Sequence, residues 1–460
     1  MGLLTPEAVG PRQPDGGAEV LPADTKEQAP TTGRRALSMV SNSVSLMGGK
    51  AGTMALGFLF WLLAARAFDP AEVGLAAGAV SAMMLCTQIS IFGIGSAVIN
   101  DLGRYGDHPR RLLDTAFTIV LATSVLAGGL FLVVASSVFE ELSVIGSIPL
   151  FTAFFLVMCV LGTLGILFDQ VSIALRRGDQ VLVRGLVFGG VTVALIVVLP
   201  DAANAESALA VFSPWVVAGA AACALGVVQL WRTLAGYRYR PGFERVVAAR
   251  LVRVSLPNYA LTLTERAPGL ILPIVVTELL SPEANASWYA VWMMAWVIFI
   301  IPISVGLALF AEGANRPDAL PAAVRQGIRA ALAIGLVGAA TLAALAPSIL
   351  SLLGETYAAT GATPLRILVW AFVPLVFVQT YFAACRAREQ LREAIWTGVV
   401  SGVVAVSAAT VAGVLYGLDG MAIAWVAVQA ATGVWALVRV RSFAGPRAAA
   451  TASPSFPTTA

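Results

Sequence analysis

Twelve long apolar runs constrain this chain more than any other feature, at roughly 44–66, 73–99, 115–138, 149–174, 184–200, 210–231, 256–279, 287–311, 328–352, 364–385, 394–416 and 420–438. A helix rises about 1.5 Å per residue and a bilayer's hydrocarbon core is about 30 Å thick, so runs of this size are of membrane-spanning length. In lipid a backbone finds no water to bond, and each run is therefore expected to be a helix that satisfies its own peptide groups. The expected fold class is all-α, a polytopic membrane protein of twelve transmembrane helices. With 58% hydrophobic and 12% charged residues, a soluble domain is excluded.

The basic residues set the expected orientation. With the N-terminus cytoplasmic, 25 of the 29 Lys and Arg residues fall on the cytoplasmic side, Arg66 and Arg366 lie outside, and Lys50 and Arg266 lie within spans. That asymmetry puts both termini in the cytoplasm. The expected organisation is a disordered tail over 1–36, a six-helix lobe over 37–231, a basic linker over 232–254, a second six-helix lobe over 255–440 and a second tail over 441–460. A faint repeat joins the halves: LLAARAFDPAEVGLAAGAV and IVVTELLSPEANASWYAVWMMAW both read as helix, turn with proline and acid, then helix. Parallel six-span repeats of this kind place a substrate site between the halves.

Several chemistries lack their residues. Cys86, Cys159, Cys223 and Cys385 are isolated within spans, which supports neither disulfides nor a metal or redox site. The single histidine, His108, sits in a basic loop, and there is no P-loop or dinucleotide-binding glycine pattern. No cofactor, no metal and no nucleic-acid partner is expected, and the loop arginines read as headgroup-facing. The external loops are short, and Glu140 and Glu141 outside lack supporting groups, so an enzyme is not expected.

The polar residues inside spans are the candidate site. Glu265 and Arg266 lie near the middle of the seventh run, with Arg266 roughly 15 Å from its start and close to the midplane. Ionisable groups at that depth point to function, although pairing with neighbouring helices is a purely structural alternative. Asn258, Thr262 and Gly269 share their helical face, and Pro268 and Pro273 weaken the helix beyond it. Lys50 either lines a cavity or snorkels to the headgroups. Asp169 either joins the cavity or pairs with Arg176 or Arg177. Gln88, Gln170, Gln229, Gln379 and Gln429 complete the set, and Trp288, Trp292 and Trp296 form a stripe that reads first as packing.

The order of LLAARAFDPAEVGLAAGAVS, ISIFGIGSAVIND, TERAPGLILPIVVTELL, LLGETYAATGATPLRILVW and YGLDGMAIAWVAV resembles the polysaccharide transporter or O-antigen flippase (Wzx-type) family, within the multidrug/oligosaccharidyl-lipid/polysaccharide exporter superfamily. The resemblance covers roughly 44–438. It matches an acid and base in the seventh span to Glu265, in place of the usual aspartate, and Arg266. Arg66, Pro70, Glu72 and Gly74 match the family's first external turn. It implies a V-shaped, MATE-like bundle in a bacterial cytoplasmic (inner) membrane that flips polyprenyl-diphosphate-linked oligosaccharide to the outer leaflet. Arg266, Glu265, Lys50, Asp169, Gln88 and Arg66 become the expected substrate contacts. Membrane lipids, glycosyltransferases and a polysaccharide polymerase become the expected partners. An ion-coupled multidrug exporter, MATE-like or major-facilitator-like, and a membrane glycosyltransferase or glycan ligase are the competing readings.

Overall fold

In the computed structural model the described residues are 52–102, 109–202, 207–315 and 320–443. Most of both expected tails, together with Lys50 and His108, lies outside them. The helices run in the order α1 (Gly52–Ala67), α2 (Pro70–Ile91), α3 (Ile94–Asp101), α4 (Pro109–Val138), α5 (Val144–Ser147), α6 (Pro149–Ala174), α7 (Gly178–Ala202), α8 (Ala208–Thr233), α9 (Arg245–Leu279), α10 (Pro282–Asn315), α11 (Leu320–Ser351), α12 (Glu355–Leu368), α13 (Phe372–Ala387) and α14 (Leu391–Phe443). No strand occurs among the described residues.

Ten continuous helical stretches are long and apolar enough to cross a membrane, with α12 and α13 joined by a 3-10 turn into one of them. The 53-residue α14 is two crossings, because Gly417 at φ 66°, ψ −161° breaks it. Its halves then run antiparallel, with Thr432 Oγ1 bonded to Ser401 Oγ at 3.2 Å and Arg439 bonded to Glu393. That backbone geometry is essentially confined to glycine. With the shorter apolar α1 the count reaches the twelve crossings expected.

Local signals explain the helix ends. Proline opens α2, α4, α6 and α10, where its missing N–H costs nothing. Asp69 Oδ1 caps α2 by accepting from Ala71 N, and Ser281 Oγ accepts from Ala284 N at the start of α10. The two turns of the faint repeat therefore use the same device. They also meet in space: Asn285 Nδ2 donates to the Gly74 carbonyl at 2.8 Å.

The buried apolar residues divide unequally. At the end of the bundle where α1 meets α2 and α9 meets α10, one core draws on both lobes, from Phe60, Trp61 and Val80 to Trp288, Phe299 and Trp425. At the other end, where most described basic residues gather, the cores are separate. One joins Ile94, Leu112, Phe168 and Leu251, and the other joins Leu261, Tyr381 and Cys385. The lobes thus share one apolar core at one end and keep separate ones at the basic end.

Helix α9 begins at Arg245, eleven residues before the expected span, so the second half of the expected 232–254 linker is helical. Val247 and Leu251 of these extra turns pack into the N-terminal lobe's basic-end core, whereas Leu261 belongs to the C-terminal one. The helix changes lobe along its length.

Candidate functional site

Helix α9 carries the site because it is the element both lobes share. Tyr259 donates its hydroxyl to the Gln88 carbonyl of α2, and an added Cβ at Gly78 of α2 would lie 2.6 Å from Thr277 Oγ1. Residues 259, 266 and 277 fall within about 20° of one another at 100° per residue, so they share one face. Arg266 therefore stands on the face that meets the N-terminal lobe, between two points of contact. It is nevertheless exposed, and among the described residues it makes no hydrogen bond or ion pair.

Glu265 is turned about 100° away and belongs to a different environment. Its Oε2 accepts from Arg386 Nη2 at 3.0 Å, in a pair whose side chains are 16% and 13% exposed, while its buried Oε1 has no hydrogen-bond partner among the described residues. Arg386 lies in the last turn of α13. Next to Glu265, Thr264 packs against Gly398, seven residues into α14. The pair thus sits roughly 10 Å in from the basic end of the C-terminal lobe. Along α9 itself, Arg266 lies 21 residues after Arg245 and 13 before Leu279.

Among the other expected residues that are described, Asp169 and Arg66 have partners of their own. Gln88 shares the α2–α9 junction, its Oε1 3.4 Å from the Tyr259 hydroxyl. Asp169 pairs with Arg184 Nη2 at 2.7 Å, not with Arg176 or Arg177, and Arg177 pairs with Asp179 instead. Arg184 stands at the first position of the expected run 184–200. It lies in α7, 4% exposed, and also bonds Ser172 and Gln229, so the N-terminal lobe encloses a polar cluster of its own. Arg66 lies at the opposite end of the bundle, where its Nε donates to the Leu352 carbonyl at 2.7 Å. Lys50 falls outside the described residues.

That opposite end is held shut by contacts the sequence did not suggest. Glu278, in the last turn of α9, accepts from the backbone N–H groups of Glu140, Glu141 and Leu142 at 2.8, 3.3 and 2.7 Å. An acid in the last turn of an apolar span was the available signal. For Arg386 and Arg184 the signals were weaker, a basic residue within a turn of a span's end in each case. The Trp288, Trp292 and Trp296 stripe packs inward: Trp288 is fully buried, and Trp292 stacks edge-on against Trp425 at 5.1 Å. All four cysteines are buried and free, and no described residues group as metal ligands.

Among the described residues, this arrangement places a cation with no hydrogen bond or ion pair on the α9 face that meets the N-terminal lobe, with one apolar core shared by the lobes at one end and separate cores at the other. The profile of the MatE family matches residues 262–411. No curated protein matches the chain. Among solved structures, an inward-facing multidrug resistance MATE family transporter of the MOP superfamily is 15% identical at a TM-score of 0.65, with 87% of this chain and 96% of that chain covered. The lipid II flippase MurJ in an inward closed conformation is 10% identical at 0.67, with 86% and 87% covered. A MOP superfamily transporter from Pyrococcus furiosus, described as having a binding pocket of reversed polarity, is 14% identical at 0.59, with 89% and 96% covered. At these identities the likeness is one of fold, and the fold is that of the MATE-like transporters.

Proposed function

We propose that this chain is a membrane transporter that moves an anionic lipid-linked oligosaccharide, of the polyprenyl-diphosphate class, between leaflets by alternating access of its two lobes. The observation that carries the reading is the charge on α9: Glu265 is spent on Arg386, whereas Arg266 has no hydrogen-bond or ion-pair partner among the described residues. A guanidinium without a counter-charge among the described residues favours an anionic cargo and repels organic cations. Its planar donors suit the paired oxygens of a diphosphate, which a point charge would hold less specifically.

Gln88 and Tyr259 supply neutral donors and acceptors beside Arg266, and Lys50 is the further cation this reading enlists from the first span. Asp169 and Glu265 act here by holding Arg184 and Arg386 in place, and Arg66 by bridging the lobes at the closed end. No covalent chemistry is required of the protein. A drug-exporting role is the second reading, favoured by the MatE match over 262–411.

The test is leaflet transfer and binding of a fluorescent polyprenyl-diphosphate oligosaccharide by protein reconstituted in vesicles, counted per inserted molecule. Arg266→Ala should lose both, and Arg266→Lys should keep part of each. Full binding and transfer by Arg266→Ala overturns the phosphate role. Transport of organic cations with no movement of the lipid-linked sugar favours drug export.

A further inference from the structure

A cavity lies away from Arg266, within the N-terminal lobe at its basic end. It is a groove of about 430 Å³ between α4, α6 and α8, floored by Phe117, Leu121, Leu164 and Phe168 and walled by Val227 and Trp231. Leu121 is twelve residues into α4 and Leu164 ten residues before the end of α6, so the groove reaches roughly 15–18 Å along the helices from the basic end. Val227 and Val228 are 58% and 43% exposed, so it opens sideways, toward the space the bilayer occupies.

Its roof is a built feature. After α8 the chain folds back over α4 and is tied there: Tyr237 donates to Asp114 Oδ1 at 2.6 Å, Arg240 N donates to the same oxygen, Tyr239 bonds Thr118, and Gly242 N donates to Thr118 Oγ1. Burial, reinforced by the Asp114 carboxylate, raises the Tyr237 phenol above its ordinary range, so it stays a donor and the strap stays closed. This strap holds Arg238 at the mouth of an otherwise apolar groove, exposed and without a hydrogen bond or ion pair among the described residues. Asp114, the acid beneath the strap, is already occupied by Tyr237 and Arg240.

An apolar slot entered from the bilayer, with a free guanidinium at headgroup level, has the charge and shape of an anionic lipid. We propose that this groove binds one anionic phospholipid of the surrounding leaflet, an acyl chain lying along Phe117, Leu164 and Val227 and the phosphate met by Arg238. Basic pockets between spans at a cytoplasmic surface recognise lipid headgroups on the same grounds, and Trp231 and Tyr239 supply the aromatic rim of an interface. The site is separate from Arg266 and does not depend on what the protein transports.

Native mass spectrometry of protein released from vesicles of phosphatidylethanolamine and phosphatidylglycerol at 3:1 tests this. One phosphatidylglycerol should be retained in preference to phosphatidylethanolamine. Arg238→Gln should reduce that preference about fivefold, the contribution of one arginine at an anionic surface. Val228→Trp, which fills the groove from its exposed side, should remove retention of both lipids while leaving the unfolding temperature in plain detergent unchanged. Equal retention of the two lipids, no retained lipid, or undiminished retention by Val228→Trp overturns the proposal. Displacement of the bound lipid by added polyprenyl phosphate also overturns it, because the groove would then belong to a transported lipid's tail.

Discussion

Glu278 Oε1 accepts a hydrogen bond from the backbone N–H of Leu142 at 2.7 Å, and so joins the last turn of α9 to the connection after α4. With Glu140 N and Glu141 N on its second oxygen, this carboxylate is the most extensively bonded group linking the lobes at the closed end. Hydrogen bonds to a charged acceptor contribute about 1.5–3 kcal/mol when sheltered, and less at an exposed site such as this. Glu278→Ala should therefore shift the open–closed balance at this end about tenfold toward open, the equivalent of ~1.4 kcal/mol. In an Ala77→Cys background, whose buried site lies where α2 meets α10, labelling by a membrane-impermeant maleimide should rise accordingly. Unchanged labelling would show that the apolar core alone holds the end closed.

Gly74 brings the backbone of α2 directly against that of α10. A Cβ there would fall 1.7 Å from the Pro282 carbonyl oxygen, so Gly74→Ala must push α2 and α10 apart and break the Asn285–Gly74 bond. The expected cost is about 1–3 kcal/mol, read as a lower unfolding temperature in detergent. Gly57→Ala, with nothing within 4 Å of its added Cβ, should leave that temperature unchanged.

Neighbours in sequence, Glu265 and Arg266 should differ in how much their surroundings contribute to stability. Arg386→Met strands the Glu265 carboxylate in a mostly buried site and should cost about 3 kcal/mol of stability. Glu265→Gln combined with Arg386→Met should recover most of that loss, because no unpaired charge remains. Arg266→Ala should cost less than about 0.5 kcal/mol, as it removes no described interaction. Thermal unfolding of the four proteins checks all three statements, and a stability loss at Arg266 equal to that at Arg386 would contradict a free guanidinium.

Gly417 turns the long C-terminal helix into a hairpin at φ 66°, ψ −161°. Gly417→Ala should cost about 1–3 kcal/mol in backbone strain. At Gly413, where the nearest atom to an added Cβ is 3.6 Å away, alanine should be tolerated. Comparing the unfolding temperatures of the two variants separates strain at the turn from a general sensitivity of this helix to added side chains.

The sequence by itself determined the number of crossings, the helical class, the turns that begin α2 and α10 and the presence of a cation on α9. These follow from apolar length matched to a hydrocarbon thickness and from caps and prolines that act within a few residues. Tertiary structure decided which charges are spent and which are free. Glu265 and Arg266 are adjacent in the chain but face different lobes, and the acid's partner, Arg386, is 121 residues away. Arg184, at the edge of an apolar run, is buried against Asp169, while Arg66, grouped with the site by its motif, bonds Leu352 at the far end of the bundle. A helix presents a new direction every 100°, so a polar residue's depth can be counted along the chain, whereas its partner depends on which other helix packs against that direction.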